Sequence, residues 1–199
     1  MARFESTTVN DAVTVYCASS PEAPARFVAA AEELGRLAAA SGLATVTGAG
    51  SAGLMGAVVR GTLSAGGRAI GVIPRFMVDR GWCNPAMTEC HVTETMHERK
   101  ALLASLGRGA IALPGGIGTM DELMDLLTLC QLGLYRHPVV ILNIDGFYSG
   151  LLSQFAHADS CDMMRHTGLT EDLWTEVSEP SEAIRIMANH IESLRTEWI

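Results

Sequence analysis

Ile111-Ala112-Leu113-Pro114-Gly115-Gly116-Ile117-Gly118-Thr119-Met120-Asp121-Glu122 is the stretch whose reading decides the fold. Residues 110–113 form an uninterrupted apolar run that reads as a buried strand. Pro114, Gly115 and Gly116 stop it. Gly118 and Thr119 then open a helix whose apolar positions, Leu123, Met124, Leu126 and Leu127, recur at helical spacing. A strand that breaks on glycines into a helix start leaves backbone N–H groups aimed at one spot, and the helix dipole favours negative charge there. With no Cβ at Gly115, Gly116 and Gly118, a phosphate can approach the backbone. The carboxylate of Glu122 sits one turn further in. A plain strand-to-helix turn, with Asp121 and Glu122 serving only the dipole, would use the same residues.

Outward from this turn, the chain alternates strand and helix. Strands are expected at 13–17, 43–47, 69–73, 89–92, 110–113, 139–142 and 174–177. Helices are expected at 24–40, 54–65, 93–106, from 118 to 132, at 147–158 and from Pro180 onward. Ser41-Gly42, Gly66-Gly67 and Gly133 close three of them. Pro74 is expected to break the third strand, and residues 75–89 to form a long loop whose Met77, Trp82 and Met87 either line a pocket or fold back on the core. Short apolar strands separated by helices argue an α/β protein, a Rossmann-like doubly wound parallel sheet with helices on both faces. Residues 1–11 read as a flexible N-terminal tail and 12–199 as a single domain. Ligands in such folds bind beyond the C-terminal ends of the strands. Three turns there carry Ser or Gly: Ala18-Ser19-Ser20, Gly48-Ala49-Gly50-Ser51 and Pro114-Gly115-Gly116. Their convergence argues for a phosphate site more strongly than any one turn.

Composition narrows the function. The chain has 199 residues, 48% of them hydrophobic, which suits one folded domain with a sizeable core. No apolar run approaches the ~18 residues that would span a membrane, and the N-terminus has no signal-peptide core, so a cytoplasmic protein is expected. The net charge of −8 and the lack of a basic cluster make nucleic acid a poor partner. Five cysteines without a CxxC pair argue against a disulfide framework. Cys83 with Cys90-His91 matches no zinc spacing. Cys17 and Cys130 sit in apolar runs and read as small core residues. Among 14 Lys and Arg residues the single lysine is Lys100, in His97-Glu98-Arg99-Lys100. At that position a compact ammonium differs from a guanidinium fork.

Two other readings compete. Gly48-Ala49-Gly50-Ser51-Ala52-Gly53 is literally G-x-G-x-x-G, the dinucleotide fingerprint. It follows the second strand, not the first, and the next strand ends in Ile73-Pro74-Arg75 without the expected acid, although an Arg suits a 2′-phosphate. A pyridoxal-dependent lysine decarboxylase would need Lys100 for its Schiff base and a longer, two-domain chain.

Gly48-x-Gly-x-x-Gly-Leu-Met-Gly56, Thr95-Met-His-Glu-Arg-Lys100, Pro114-Gly-Gly-Ile-Gly-Thr-Met-Asp-Glu122, Gln131-Leu-Gly133 and Gly146-Phe-Tyr148 occur in an order that resembles the LONELY GUY family. These are the cytokinin-activating phosphoribohydrolases often labelled lysine decarboxylases. The resemblance runs from about Val13 to Leu152. It implies a hydrolase that cleaves the N-glycosidic bond of N6-substituted adenosine 5′-monophosphates, giving free base and ribose 5-phosphate, with no metal or cofactor. Arg99 and Glu122 match the family's catalytic pair. Lys100, Gly116, Ile117, Gly118, Thr119, Met120, Asp121 and Thr128 match substrate-contacting positions, with Ser20, Gly50 and Ser51 as helpers at the phosphate. A homodimer with its active site near the interface is also implied. The Met and Leu content of the helices over 95–107 and 119–132 agrees with that. Breaking a ribosyl bond builds positive charge on the sugar, which a carboxylate such as Glu122 stabilises. An arginine holds that carboxylate ionised through charge-assisted hydrogen bonds.

The chain departs from the family in three places. Its first turn reads Cys17-Ala18-Ser19-Ser20 where many members have Cys-Gly-Ser-Ser. Its glycine turn reads Gly48-Ala49-Gly50 in place of three glycines. A substrate-contacting glutamate falls at Gly81, beside Trp82. Plain AMP and N6-substituted AMP are both candidate substrates. A non-catalytic module binding a nucleotide-derived ligand in the same cleft is the alternative.

Overall fold

The computed structural model describes residues 11–164 and 173–196. Seven strands form one sheet: β1 (Ala12–Tyr16), β2 (Ala44–Thr47), β3 (Ala69–Pro74), β4 (Glu89–Thr93), β5 (Ala110–Ala112), β6 (Val139–Leu142) and β7 (Thr175–Val177). The order is β4-β3-β2-β1-β5-β6-β7 and every pair is parallel. Parallel strands need helical returns, so both faces of the sheet are covered and the central strands are buried throughout. β1, β2, β3, β5 and β6 are all buried; β4 at one edge alternates, and β7 at the other is largely exposed.

One face packs against α1 (Ala25–Ala40), α2 (Gly53–Ser64) and α7 (Pro180–Thr196). Phe27, Leu34, Leu54, Val58, Ile184 and Met187 meet Val13, Val15, Ile111 and Val140 there. The other face packs against α4 (Met96–Leu106), α5 (Ile117–Gln131) and α6 (Ser149–Ser160). Leu103, Leu123, Leu126 and Tyr148 meet Tyr16, Val46, Ile70 and Ile141 there. Alternate strand residues thus feed opposite cores, as the pleat demands. The expected doubly wound sheet is what forms. No described helix is long and apolar enough to cross a membrane.

Buried threonines in the sheet find partners. Thr14 donates Oγ1–H to the Leu103 carbonyl at 2.7 Å, and Thr45 and Thr62 share a hydroxyl hydrogen bond at 2.9 Å.

Three local expectations change. Asp11, placed in the tail, is held: its carbonyl accepts from Ala44 N–H at 2.8 Å and its carboxylate pairs with Arg195 at 2.7 Å. The rest of the tail lies outside the described residues, as does 165–172 of the connection after α6. Pro74 does not break β3; it is the last paired residue, opposite Thr93, where a missing N–H interrupts nothing further along. The loop over 75–89 contains a short helix, α3 (Arg75–Asp79), and the turn residues that follow it end where β4 begins.

α1 and α2 approach closely because both carry glycine at the contact. A Cβ on Gly61 would collide with the Glu32 carbonyl, and one on Gly35 with the Val58 carbonyl. In an open helix Gly→Ala gains about 1 kcal/mol. Here the added methyl meets backbone that cannot rotate away, and overpacking costs about 1–3 kcal/mol. Gly61→Ala is therefore expected to lower the urea midpoint; a raised midpoint would contradict the packing described.

Candidate functional site

β1 and β5 are neighbours, but β1 leads to α1 on one face and β5 to α5 on the other. The crevice that opens between them is the topological switch point. A cavity of about 670 Å³ lies over it, a size that suits a small organic ligand. Its floor and walls come from the turns after β1 (Cys17, Ala18, Ser19, Ser20), β2 (Gly48, Gly50, Ser51, Ala52) and β5 (Gly116, Gly118, Thr119), with Arg99 and Glu122 from α4 and α5. Met55, Ile73, Met77, Gly81, Trp82 and Met96 complete it and supply the apolar side.

Hydrogen bonds between the turns fix their relative positions. Ala18 N–H donates to Pro114 carbonyl at 3.1 Å, and Met55 N–H to Ala18 carbonyl at 3.0 Å. Asn84 N–H donates to Ala49 carbonyl at 2.8 Å. The hydroxyl of fully buried Tyr148 donates to Leu113 carbonyl at 2.6 Å, just beneath the Pro114 turn.

The Pro-Gly-Gly-x-Gly-Thr string divides its labour. A Cβ on Gly115 would collide with the Thr119 side chain, so Gly115 lets buried Thr119 fold over the turn. Gly116 and Gly118 instead face open space, with nothing within 4 Å of where a Cβ would stand. Gly116 caps α5 without a side-chain hydrogen bond. The first-turn N–H groups of a helix have no acceptor within it. This end of the cleft therefore presents unshielded amides and the positive end of a 15-residue helix to a ligand.

Opposite stands a buried ion pair. Arg99 Nη1 donates to Glu122 Oε1 at 2.7 Å, and both side chains are 8% exposed. Arg99 Nε donates to the Val72 carbonyl at 3.1 Å, which fixes the plane of the guanidinium. A Cβ on Gly48 would collide with Arg99 Nη2, so the first glycine of the G-x-G-x-x-G string makes room for the arginine. α4 itself starts on a capping box: Thr95 Oγ1 accepts from Glu98 N–H at 3.1 Å, and Glu98 Oε2 accepts from Thr95 N–H at 3.3 Å. Glu98 therefore serves the helix start, and Arg99 is the residue of the motif that reaches the cleft. Burial pushes the Glu122 carboxyl above its ordinary value of 4.5, and the adjacent Arg99 cation pulls it back part of the way.

Of the residues singled out in the sequence, Arg99, Glu122, Ser20, Gly50, Ser51, Gly116, Gly118 and Thr119 line this one cavity. Lys100, Ile117, Met120, Asp121 and Thr128 do not. Helical periodicity separates them: Glu122 turns inward, while Ile117, Asp121 and Thr128 fall on the exposed outer stripe of α5. Lys100 Nζ pairs with Asp121 at 3.0 Å and Asp125 at 3.4 Å on that stripe, and these partners raise its pKa. Thr128 Oγ1 donates to the Met124 carbonyl at 2.8 Å, and Met120 packs half-buried against the core. Met55 and Met96 were not singled out. Met96 lies three residues before Arg99 on one helix face, a spacing that would have found it.

Residues 55–187 match the family model described as "Possible lysine decarboxylase". The chain is 43% identical over 147 residues to a cytokinin riboside 5'-monophosphate phosphoribohydrolase of Rhodococcoides fascians, covering 73% of this chain and 74% of that one. It is 42% identical over 141 residues to the cytokinin riboside 5'-monophosphate phosphoribohydrolase LOG of Oryza sativa subsp. japonica, covering 71% of this chain but only 58% of the rice protein's length. Among solved structures, a molybdenum cofactor carrier protein from Chlamydomonas reinhardtii superposes with a TM-score of 0.69 at 21% identity, covering 92% of this chain and 98% of that one; at that identity the likeness is one of fold. With the family model spanning more than half its length and a relative of this identity matched over most of both chains, this protein belongs to the LONELY GUY family.

Proposed function

We propose that this protein hydrolyses the N-glycosidic bond of adenosine 5′-monophosphates, N6-substituted ones foremost, to free base and ribose 5-phosphate. The observation that carries this reading is the buried Arg99–Glu122 pair at 2.7 Å, facing a glycine turn at a helix N-terminus across one cavity. The turn suits a 5′-phosphate: open amides at Gly116 and Gly118, the Thr119 hydroxyl, and Ser20 and Ser51 across the crevice. Glu122 suits the ribose. Departure of the base leaves positive charge at C1′, which the carboxylate stabilises while orienting the incoming water. Water adds its hydroxyl to C1′, and its proton leaves with the base. Trp82, Met77 and Met96 offer the apolar surface on which a purine and its N6 substituent can lie. Gly81 beside Trp82 has no side chain with which to hydrogen-bond the substrate.

Incubation with AMP and with isopentenyladenosine monophosphate, followed by chromatography of the base, tests this directly. At least one is expected to be cleaved. Truncating one partner of a buried pair costs about 3–5 kcal/mol of stability, so Glu122→Gln is the cleaner variant beside Glu122→Ala and Arg99→Ala. All three are expected to lower kcat by about 10²–10⁴-fold. Binding of both nucleotides without cleavage of either would make this a nucleotide-binding module instead.

The pH profile follows from the same pair. Catalysis needs Glu122 ionised, and burial lifts its carboxyl above 4.5, so activity is lost as pH falls through that raised value. The acid limb of kcat/KM is expected above 4.5. It should move further up in Arg99→Gln, which removes the cation that holds the carboxyl down. An acid limb unmoved by that change would detach Glu122 from the limb.

We further infer a homodimer that covers the outer stripe of α5. Ile117 is 90% exposed, Leu132 52% and Leu134 73%, apolar side chains at the two ends of a stripe that carries Asp121, Asp125 and Thr128 between them. Light scattering at micromolar concentration is expected to give twice the chain mass, and Ile117→Asp to give the monomer. A parent protein already monomeric would contradict this.

A further inference from the structure

Between α3 and β4 the chain makes a turn that carries two cleft residues, Gly81 and Trp82, immediately before Cys83. Cys90, the second residue of β4, lies on the edge strand of the sheet. The two thiols face each other with their sulfurs 3.4 Å apart, Cys83 half-buried and Cys90 exposed, and neither lines the cleft. The other three cysteines lie elsewhere: Cys17 and Cys130 are buried in the core, and Cys161 sits at the end of α6.

The turn is tied to the cleft one residue further on. Asn84 is buried; its N–H donates to the Ala49 carbonyl at 2.8 Å and its Nδ2 to the Gly50 carbonyl at 3.5 Å, while its Oδ1 accepts from Ala86 N–H at 3.0 Å. On the other side, Trp82 N–H donates to the Met77 carbonyl at 3.1 Å. Cys83 therefore sits between a cleft wall and an anchor on the glycine turn. Bonded sulfurs stand at about 2.05 Å, so closing this pair brings the two sulfurs more than 1 Å nearer one another. Of the residues flanking Cys83, Asn84 is held by three of these hydrogen bonds and Trp82 by one, so Trp82 is the side that can yield.

We propose that Cys83 and Cys90 form a reversible disulfide in response to a hydroperoxide, and that this bridge displaces Trp82 and weakens substrate binding in the adjoining cleft. The chemistry balances. One thiol attacks the peroxide, the O–O bond breaks, and the sulfur becomes a sulfenic acid as the peroxide is reduced to an alcohol or water. The second sulfur attacks the first, the S–S bond forms and a water leaves carrying the remaining thiol hydrogen. A small dithiol or glutathione returns both thiols. Cys90, the exposed thiol on the edge strand, is open to the peroxide, and Cys83 stands 3.4 Å away to resolve the sulfenic acid. Bridges of this transient kind are the sort that thiol-reducing surroundings permit.

The kinetic half of the proposal rests on the hydrolase reading above; the bridge does not. The test treats the reduced full-length protein with hydrogen peroxide and then blocks free thiols. Both cysteines fall in the tryptic peptide 81–99, whose mass is expected to drop by about 2 Da, and cleavage after Glu89 should leave its halves joined until reduction. The KM for the cleaved nucleotide is expected to rise about fivefold, as losing one stacking contact would produce, with kcat unchanged and both values restored by dithiothreitol. Cys83→Ser and Cys90→Ser should each keep the kinetics of the reduced parent and lose both the bridge and the response. Unlinked halves, a linked protein with unaltered KM, or a KM response that survives in Cys83→Ser each overturn the proposal. Should no nucleotide be cleaved, AMP affinity by calorimetry stands in for KM, so failure of the hydrolase reading and failure of the switch remain separate results.

Discussion

The buried contact between Arg99 and Glu122 is the constraint around which the cleft is arranged. Three elements hold it: β3 through the Val72 carbonyl, α4 through Arg99 and α5 through Glu122. Desolvating two charges is expensive, and well-packed apolar residues serve stability as well or better. The molecule nevertheless spends a glycine to admit the arginine: any side chain at Gly48 would occupy the position of its guanidinium. A structural ion pair needs no such accommodation at the mouth of a cavity. A pair that must meet a ligand does, because one partner has to be held ionised and aimed before the ligand arrives.

Preorganisation extends to the backbone. The turns after β1, β2 and β5 are cross-linked by main-chain hydrogen bonds, and Tyr148 satisfies the Leu113 carbonyl that the end of β5 would otherwise leave buried. Ala49 sits at φ 61°, a conformation an alanine adopts only under constraint. It is constrained on both sides: its N–H donates to Thr47 Oγ1 at 3.3 Å and its carbonyl accepts from Asn84. The departure from a run of three glycines is thus tolerated because a neighbouring loop holds the strained residue in place. The cleft is consequently built before substrate binds, with the loop from Gly81 to Asn84 tied to the glycine turn through Asn84.

Much of this was legible in the sequence, and the limits have physical causes. Apolar runs, glycine stops and helical spacing located every strand to within a residue or two, because each central strand is buried on both faces and its apolar run is broken by nothing more polar than threonine. α3 was not foreseen: five residues with no buried side chain carry no periodic signal. The motif around Glu122 pointed to one site, yet motif membership has no direction. Ile117, Asp121 and Thr128 share the string or its helix with Glu122 but stand on the opposite side of α5, and only the rotation of 100° per residue separates them. Glu98 was quoted inside a catalytic-looking string although Thr95-Met96-His97-Glu98 is a helix-start box readable from spacing alone. The methionine and tryptophan wall stayed ambiguous because apolar side chains in a loop look the same whether they meet core or ligand.

The interval of 23 residues between Arg99 and Glu122 follows from topology. The chain lays down β1 to β4 in order toward one edge and must then return to the other side of β1 to begin β5. α4 makes that return, passing beneath β3, β2 and β1 on the face it shares with α5. A return helix on this path has its N-terminal turn near the C-terminal ends of the strands it leaves, since the strands are parallel and the helix runs back against them. A long cation in that first turn reaches the crevice without any excursion of the backbone. The next strand, β5, then ends at the same level on the other side of β1 and delivers the glycine turn and Glu122. A cation early in α4 and an acid early in α5 are therefore brought together by the single crossing that every doubly wound sheet of this order has to make, and the motif spacing is that crossing written in residues.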